Sequence, residues 1–284
     1  MKPLLDHASL VLKLMPALLD AGACLLRCRA EGVDAELKGD GSPVSRADRE
    51  AEAIVLAALA HAAPQVPVIA EEAVAAGQIP DFDTAAFLVD ALDGTREFLN
   101  GGADFTVNIG LVENGVPILG MVLAPASGRL FVTLGPGEAA AALIPPDRLG
   151  AGFEPRLTRI ATAEPDVRAL RVVSSRSSRS KETEAFLGRF AVGRDERLGS
   201  SVKLGIIATG EADLYPRFGP TSAWDIAAGH AVLAAAGGTV TRADGQPLVY
   251  LDKSRLGERE PFLNPAFVAW GRASLIPADL SRPA

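Results

Sequence analysis

Residues 3–30 place Leu4, Leu5, Ala8, Leu12, Met15, Leu18, Leu19 and Leu25 at helical intervals. The spacing predicts a long first helix with a kink at Pro16. The polar stretch 31–44 predicts a loop. Ser45-Arg46-Ala47-Asp48 predicts a helix start, with Ser45 as cap and Asp48 in the first turn, running to about His61. Residues 66–70 predict a short strand that ends in Glu71-Glu72, and 79–86 a loop. Phe87-Leu88-Val89 then runs straight into Asp90, and Asp93, Gly94 and Thr95 follow. This predicts a buried strand, a tight turn and a new helix.

Alternation predicts a strand over 104–112, a hairpin turn at Glu113-Asn114-Gly115, a return strand over 116–124 and a third over 130–134. The Gly-, Pro- and Ala-rich segment 135–157 predicts a boundary between two halves, 1–145 and 146–284, of one compact unit. The second half predicts strands at 170–173 and 212–215 and a last strand over 262–270. It predicts helices at about 181–190, 199–209 and 224–236, the last ended by Gly237-Gly238. No internal repeat is visible.

Two carboxylates at the end of a buried strand are costly unless protons or cations neutralise them. A helix N-terminus beside them attracts an anion. Together they outline metal-assisted phosphoryl chemistry. Each part also has an ordinary reading. Asp-Gly is a common turn. Asp48 and Asp225 serve as first-turn dipole partners, Glu71-Glu72 as a solvated pair, and His230 as a packing residue. The loop 174–180, Ser-Ser-Arg-Ser-Ser-Arg-Ser, is either a phosphate-binding loop or a solvated turn. The acidic pattern of a calcium EF-hand is missing.

Composition narrows the classes. Of 284 residues, 48% are hydrophobic and 22% charged, a globular balance. Aromatics are only 5%, which disfavours stacking platforms for single-stranded nucleic acid. The net charge of −7 disfavours nucleic-acid grooves and anionic membranes as partners. Cys24 and Cys28, the two cysteines, are four apart on the first helix. That is poor disulfide geometry and no zinc pattern, so they are expected to be small apolar packing residues in a reducing, cytoplasmic compartment. Neither a signal peptide nor a transmembrane span is expected.

Glu71 after a strand, then Asp90-Ala91-Leu92-Asp93-Gly94-Thr95, then Trp224-Asp225-Ile226-Ala227-Ala228-Gly229 together resemble the inositol monophosphatase superfamily. The likeness covers nearly the whole chain. It implies a layered α/β/α/β/α fold and magnesium-dependent, lithium-sensitive hydrolysis of phosphate monoesters. Asp40-Gly41-Ser42-Pro43-Val44, Gly199-Ser200-Ser201-Val202-Lys203, the run 214–221 and Phe262-Leu263-Asn264-Pro265 are similar to its 3′(2′),5′-bisphosphate nucleotidase branch. That branch removes the 3′-phosphate of adenosine 3′,5′-bisphosphate, a by-product of sulfate assimilation.

The resemblance implies residue roles. Glu71, Asp90 and the Leu92 carbonyl would hold one magnesium, and Asp90, Asp93 and Asp225 a second, so the first half carries most ligands. Gly94 and Thr95 N–H groups would hold the phosphate. Asp48 and the Thr95 hydroxyl would orient the attacking water, with room for a third, weaker magnesium. Lys203, Ser175, Arg176 and Ser177 would meet the second phosphate. The same metal site would also serve inositol 1-phosphate or fructose 1,6-bisphosphate, and a silent anion-binding scaffold would lack one of these ligands. A monomer or homodimer is expected, and peripheral association with the inner membrane stays open. Two departures stand out: Ala91 where the family has Pro, and Ser178 where the branch has His.

Overall fold

A computed structural model describes residues 6–32, 35–37, 43–150, 152–177 and 180–280. Lys38 to Ser42, Ser178 and Arg179, including most of the Asp40–Val44 motif, lie outside the described residues. The first half contains α1 (His7–Glu31), β1 (Ala35–Leu37), β2 (Pro43–Ser45), α2 (Arg46–Ala62), β3 (Val68–Ala70), α3 (Glu71–Ala75), β4 (Ala85–Asp93) and α4 (Thr95–Leu99). The antiparallel run is β5 (Thr106–Glu113), β6 (Val116–Ala124), β7 (Arg129–Gly135), β8 (Glu138–Leu143) and β9 (Thr158–Ile160). Then follow β10 (Leu170–Ser175), α5 (Lys181–Leu187), β11 (Val192–Leu198), α6 (Val202–Ala208), β12 (Leu214–Arg217), α7 (Ala223–Ala235), β13 (Thr239–Arg242) and β14 (Phe267–Trp270).

These elements stack in five layers. A seven-stranded sheet has the order β3-β4-β5-β6-β7-β8-β9, and a five-stranded sheet the order β11-β10-β12-β14-β13. Helices α1 and α2 pack on one face of the larger sheet, burying Leu14, Leu18, Leu25, Val55 and Leu59 against Phe87, Val89 and Ile109. Helices α6 and α7 fill the space between the sheets, where Leu204, Ile207, Ala227 and Val232 meet Leu88 and Val122 on one side and Phe267 on the other. Phe186 and Leu187 of α5 cover the outer face of the smaller sheet over Leu214 and Trp270. The α/β/α/β/α order is therefore the observed one.

The layering explains the patterns. Phe87 and Val89 face one core and Ala86 and Leu88 the other, so β4 is apolar on both sides and shows no alternation. Pro16 sits on the exposed side of α1 together with Leu12, the residue one turn earlier whose carbonyl loses its helical donor. α1 is long and apolar enough to cross a membrane by length and composition alone, with just over half of that window buried in the core.

Several expectations change. The loop 31–44 contains the β1–β2 pair. The Ala-rich part of 135–157 forms β8, which continues the β7 hairpin, and β9 adds a strand at 158–160. Strand membership of the larger sheet thus runs past residue 145. β11 and β13 are strands that the sequence pattern does not predict. β11 is a charged, largely exposed edge, and such strands lack an apolar face to detect.

Candidate active site

The C-terminal end of β4 gathers the chemistry. The ladder between β4 and β5 pairs Asp90 with Asn108, then slips before Asp93 pairs with Thr106. This bulge re-aims the strand end, as bulges beside functional sites do. Gly94 follows in the left-handed region, at φ +93°. A Cβ there would stand 2.7 Å from the Asp104 carbonyl oxygen, so only glycine fits both the angle and the space. α4 starts at once with Thr95.

Glu71 and Asp225 reach the same place from other elements. One carboxylate oxygen from each of Glu71, Asp90 and Asp225 lies within 4.8 Å of the other two. Glu71 opens α3, whose first N–H groups are held by the buried Glu52 of α2: Glu72 N–H to Oε2 at 2.9 Å and Ala73 N–H to Oε1 at 3.0 Å. Asp225 sits in the first turn of α7 and accepts the Ser222 N–H at 2.8 Å. α7 approaches the larger sheet through glycines. A Cβ on Gly120 would stand 1.9 Å from the Ala228 carbonyl oxygen. The 262–265 segment props the start of that helix. Ala223 N–H donates to the Phe262 carbonyl at 2.8 Å, and Asn264 Nδ2 to the Ser222 carbonyl at 2.7 Å.

The electrostatics follow from this crowding. Burial pushes the Asp90 carboxyl well above the usual range, and Glu71, Asp93 and Asp225 add to it, against one N–H bond from Leu92. Burial likewise raises Asp225, followed by Asp93 and Glu71. Oxygen-only donors that resist ionisation together are a fit for a hard divalent cation.

Asp93 is placed differently from the other three. Its Oδ2 accepts both the Ser201 N–H and the Ser201 hydroxyl at 2.6 Å. Ser200 is held at φ +52° to present that N–H, with its hydroxyl 2.7 Å from Thr106 Oγ1. The single hydroxyl hydrogen of Ser201 is shared between Asp93 Oδ2 and the Asp225 carbonyl oxygen, and the hydroxyl oxygen accepts from Asn108 Nδ2. One serine thus fastens β4, β5 and α7 together. The sequence does not reveal this role, although Ser201 stands inside the Gly199–Lys203 motif.

Asp48 is buried at the start of α2. Its Oδ2 accepts the Ser45 N–H and hydroxyl at 2.7 Å, and its Oδ1 faces the Thr95 hydroxyl at 3.1 Å. The capping role and the link to Thr95 are both present. Lys203 is buried on α6. It donates to the carbonyls of Ser200 and Leu198 and lies over the Tyr215 ring. Burial pulls its ammonium down to about 8. A cavity of about 100 Å³ joins Lys203 to Asp93, Gly94, Ser175, Ser177, Arg217 and Asp225. Arg217 is a further cation there, one that no spacing in the sequence marks as a ligand. Arg176, expected at the second phosphate, instead pairs with Asp104 at 2.7 Å and does not line the cavity. A second hollow of about 270 Å³ opens beside Glu71, lined by Trp224, Arg259 and Phe262 among others.

A layered fold with clustered carboxylates beside a strand-turn-helix recurs in a known group of proteins. The sequence pattern described as "Inositol monophosphatase family" matches residues 8–270, and the chain belongs to that family. Among its relatives, the 3′(2′),5′-bisphosphate nucleotidase CysQ of Escherichia coli K12 is 38% identical over 235 residues, 83% of this chain and 88% of that protein. The CysQ of Shigella flexneri is 39% identical over the same shares. The crystal structure of CysQ from Bacteroides thetaiotaomicron, 31% identical, superposes with a TM-score of 0.72 over 93% of this chain and 97% of that one. An inositol monophosphatase from Anabaena, 24% identical with a TM-score of 0.66 over 93% and 91% of the chains, shares the fold.

Proposed function

We propose that this chain is a 3′(2′),5′-bisphosphate nucleotidase, a metal-dependent phosphoric monoester hydrolase that releases the 3′-phosphate of adenosine 3′,5′-bisphosphate. Likeness over most of the chain to CysQ proteins carries the substrate assignment. The convergence of Glu71, Asp90 and Asp225 carries the chemistry. We read the ion as magnesium, because the donors are all hard oxygens.

Glu71, Asp90 and the Leu92 carbonyl would hold one ion, and Asp90, Asp93 and Asp225 a second. When bound, two such ions supply positive charge to the attacking and leaving oxygens of an in-line displacement. The residues themselves do the rest. Thr95 Oγ1 has one hydrogen and two acceptors in reach, Asp48 Oδ1 at 3.1 Å and the Leu92 carbonyl at 3.2 Å. Asp48 is the nearer acceptor and, as a carboxylate, the stronger one, so that hydrogen goes to Asp48. The Thr95 lone pairs then accept from the attacking water and orient it. The N–H groups at Gly94 and Thr95 cradle the phosphoryl oxygens. Lys203 and Arg217, lining the cavity, supply cations for the second phosphate, with Ser175 and Ser177 as hydroxyl donors. Such a division suits a reaction whose uncatalysed rate demands up to ~10²¹-fold acceleration.

The test is phosphate release from adenosine 3′,5′-bisphosphate, inositol 1-phosphate and fructose 1,6-bisphosphate in parallel, with magnesium and with chelator. A magnesium-dependent preference for the nucleotide, inhibited by lithium, is expected. Preference for a sugar phosphate would keep the metal site and overturn the substrate. Normal turnover in Asp93→Asn would overturn the two-metal assignment.

A further inference from the structure

α1 and α2 meet where Cys24 and Cys28, four apart on one helix face, approach Glu50. We propose that Cys24, Cys28 and Glu50 form a binding site for a thiophilic divalent cation of the zinc type, distinct from the catalytic carboxylates, that ties α1 to α2. The sequence alone gave no reason to expect this, because the third ligand comes from a different helix, twenty-two residues after Cys28.

The geometry is already close to coordination spacing. One ligand atom from each residue lies within 4.8 Å of the others. Glu50 Oε2 stands 3.5 Å from Cys24 Sγ and 3.7 Å from Cys28 Sγ. In a tetrahedral zinc site, with Zn–S ~2.3 Å and Zn–O ~2.1 Å, sulfur and oxygen ligands stand ~3.6 Å apart. The two helices therefore need little movement to accept an ion. Both cysteines are buried, whereas Glu50 keeps 41% of its side chain exposed. That exposure gives an ion access and leaves water as the fourth ligand.

The charge also balances. Binding releases the two thiol protons now donated to Glu50 Oε2; the two thiolates and one carboxylate then carry three negative charges, and a dication leaves one. Arg27 lies 3.3 Å from Cys24 Sγ and 3.5 Å from Glu50, and Arg46 lies 3.4 Å from the other Glu50 oxygen. Arg27 is more than half exposed and can swing aside. Sulfur ligands discriminate against magnesium, so this site and the catalytic one select different ions. Glu50 is two residues from Asp48, and an ion here would fix the part of α2 that presents Asp48 to Thr95.

Cobalt titration of the full chain tests the site, with cobalt standing in for zinc. These are the chain's two cysteines, so thiolate-to-cobalt charge-transfer absorption reports this site even if cobalt also occupies the carboxylates. The band is expected to saturate at one cobalt per chain, to be displaced by zinc and to survive excess magnesium. Glu50→Gln should weaken cobalt binding by at least ~10-fold, as loss of a ligand exceeds the loss of its supporting shell. Asp90→Asn should leave the band unchanged. Absence of the band in folded protein at millimolar cobalt, or a band untouched by Glu50→Gln, would overturn the site. Cys24→Ser with Cys28→Ser must abolish the band. Should that pair fail to fold, the wild-type and Glu50→Gln titrations still decide.

Discussion

The Thr95 hydroxyl lies 3.1 Å from the Asp48 carboxylate, across the gap between the first turns of α4 and α2. Thr95→Val removes the hydroxyl with little change in shape, and Asp48→Asn removes the proposed base while leaving an oxygen to cap α2. Each should lower kcat by ~10²–10⁴ with little change in KM. Steady-state phosphate release measures this. A stability loss without a kcat loss would reduce Asp48 to its capping role, worth ~1 kcal/mol.

The raised Asp90 and Asp225 carboxyls make metal-free stability depend on pH. A carboxyl whose folded pKa lies above its unfolded value stabilises the fold while protonated. That contribution is complete below the unfolded value of ~3.9 and is lost as pH rises through the folded one. In chelator, wild-type Tm should therefore fall relative to Asp90→Asn as pH rises towards neutral, and magnesium should restore it. Parallel pH profiles for the two proteins would refute the burial argument.

Burial leaves Lys203 with an ammonium that deprotonates near pH 8. Above that pH the cavity loses a positive charge, so KM for an anionic substrate should rise. In Lys203→Met, KM should be higher from the start and flat across the same range. A profile unchanged by the substitution would remove Lys203 from substrate binding.

Ser201 holds Asp93 Oδ2 through both its N–H and its hydroxyl. Ser201→Ala keeps the first bond and loses the second. Since partners of metal ligands typically contribute ~10–100-fold in affinity or activity, the magnesium concentration for half-maximal activity should rise by that order. A magnesium titration at saturating substrate reads it directly.

Gly94→Ala meets both a positive φ and the Asp104 carbonyl oxygen at 2.7 Å. Unfolding in urea should show a loss of ~1–3 kcal/mol, the usual cost of such backbone strain. An unchanged midpoint would mean that the turn relaxes.

Much of the site was legible because it is local. Asp90, Asp93, Gly94 and Thr95 form one strand-turn-helix, and Asp48 and Asp225 each sit in the first turn of a helix that the sequence predicts. The long helices and the β5–β6–β7 hairpins were legible for the same reason, since amphipathic period and turn chemistry act over a few residues. The charged edge β11 and the Ala-rich β8 were not legible, because each is a strand only through its neighbour's ladder.

What the sequence determined alone was therefore the inventory: the acidic residues, their order, and the turn that only Gly94 permits. Tertiary structure decided the convergence. It set Glu71 and Asp225 against Asp90, turned Asp93 towards Ser201, moved Arg176 onto Asp104, and brought Glu50 to the two cysteines. These contacts join residues tens to more than a hundred positions apart. Only the packing of both helix layers against the larger sheet fixes their distances, and no periodicity in the chain encodes it.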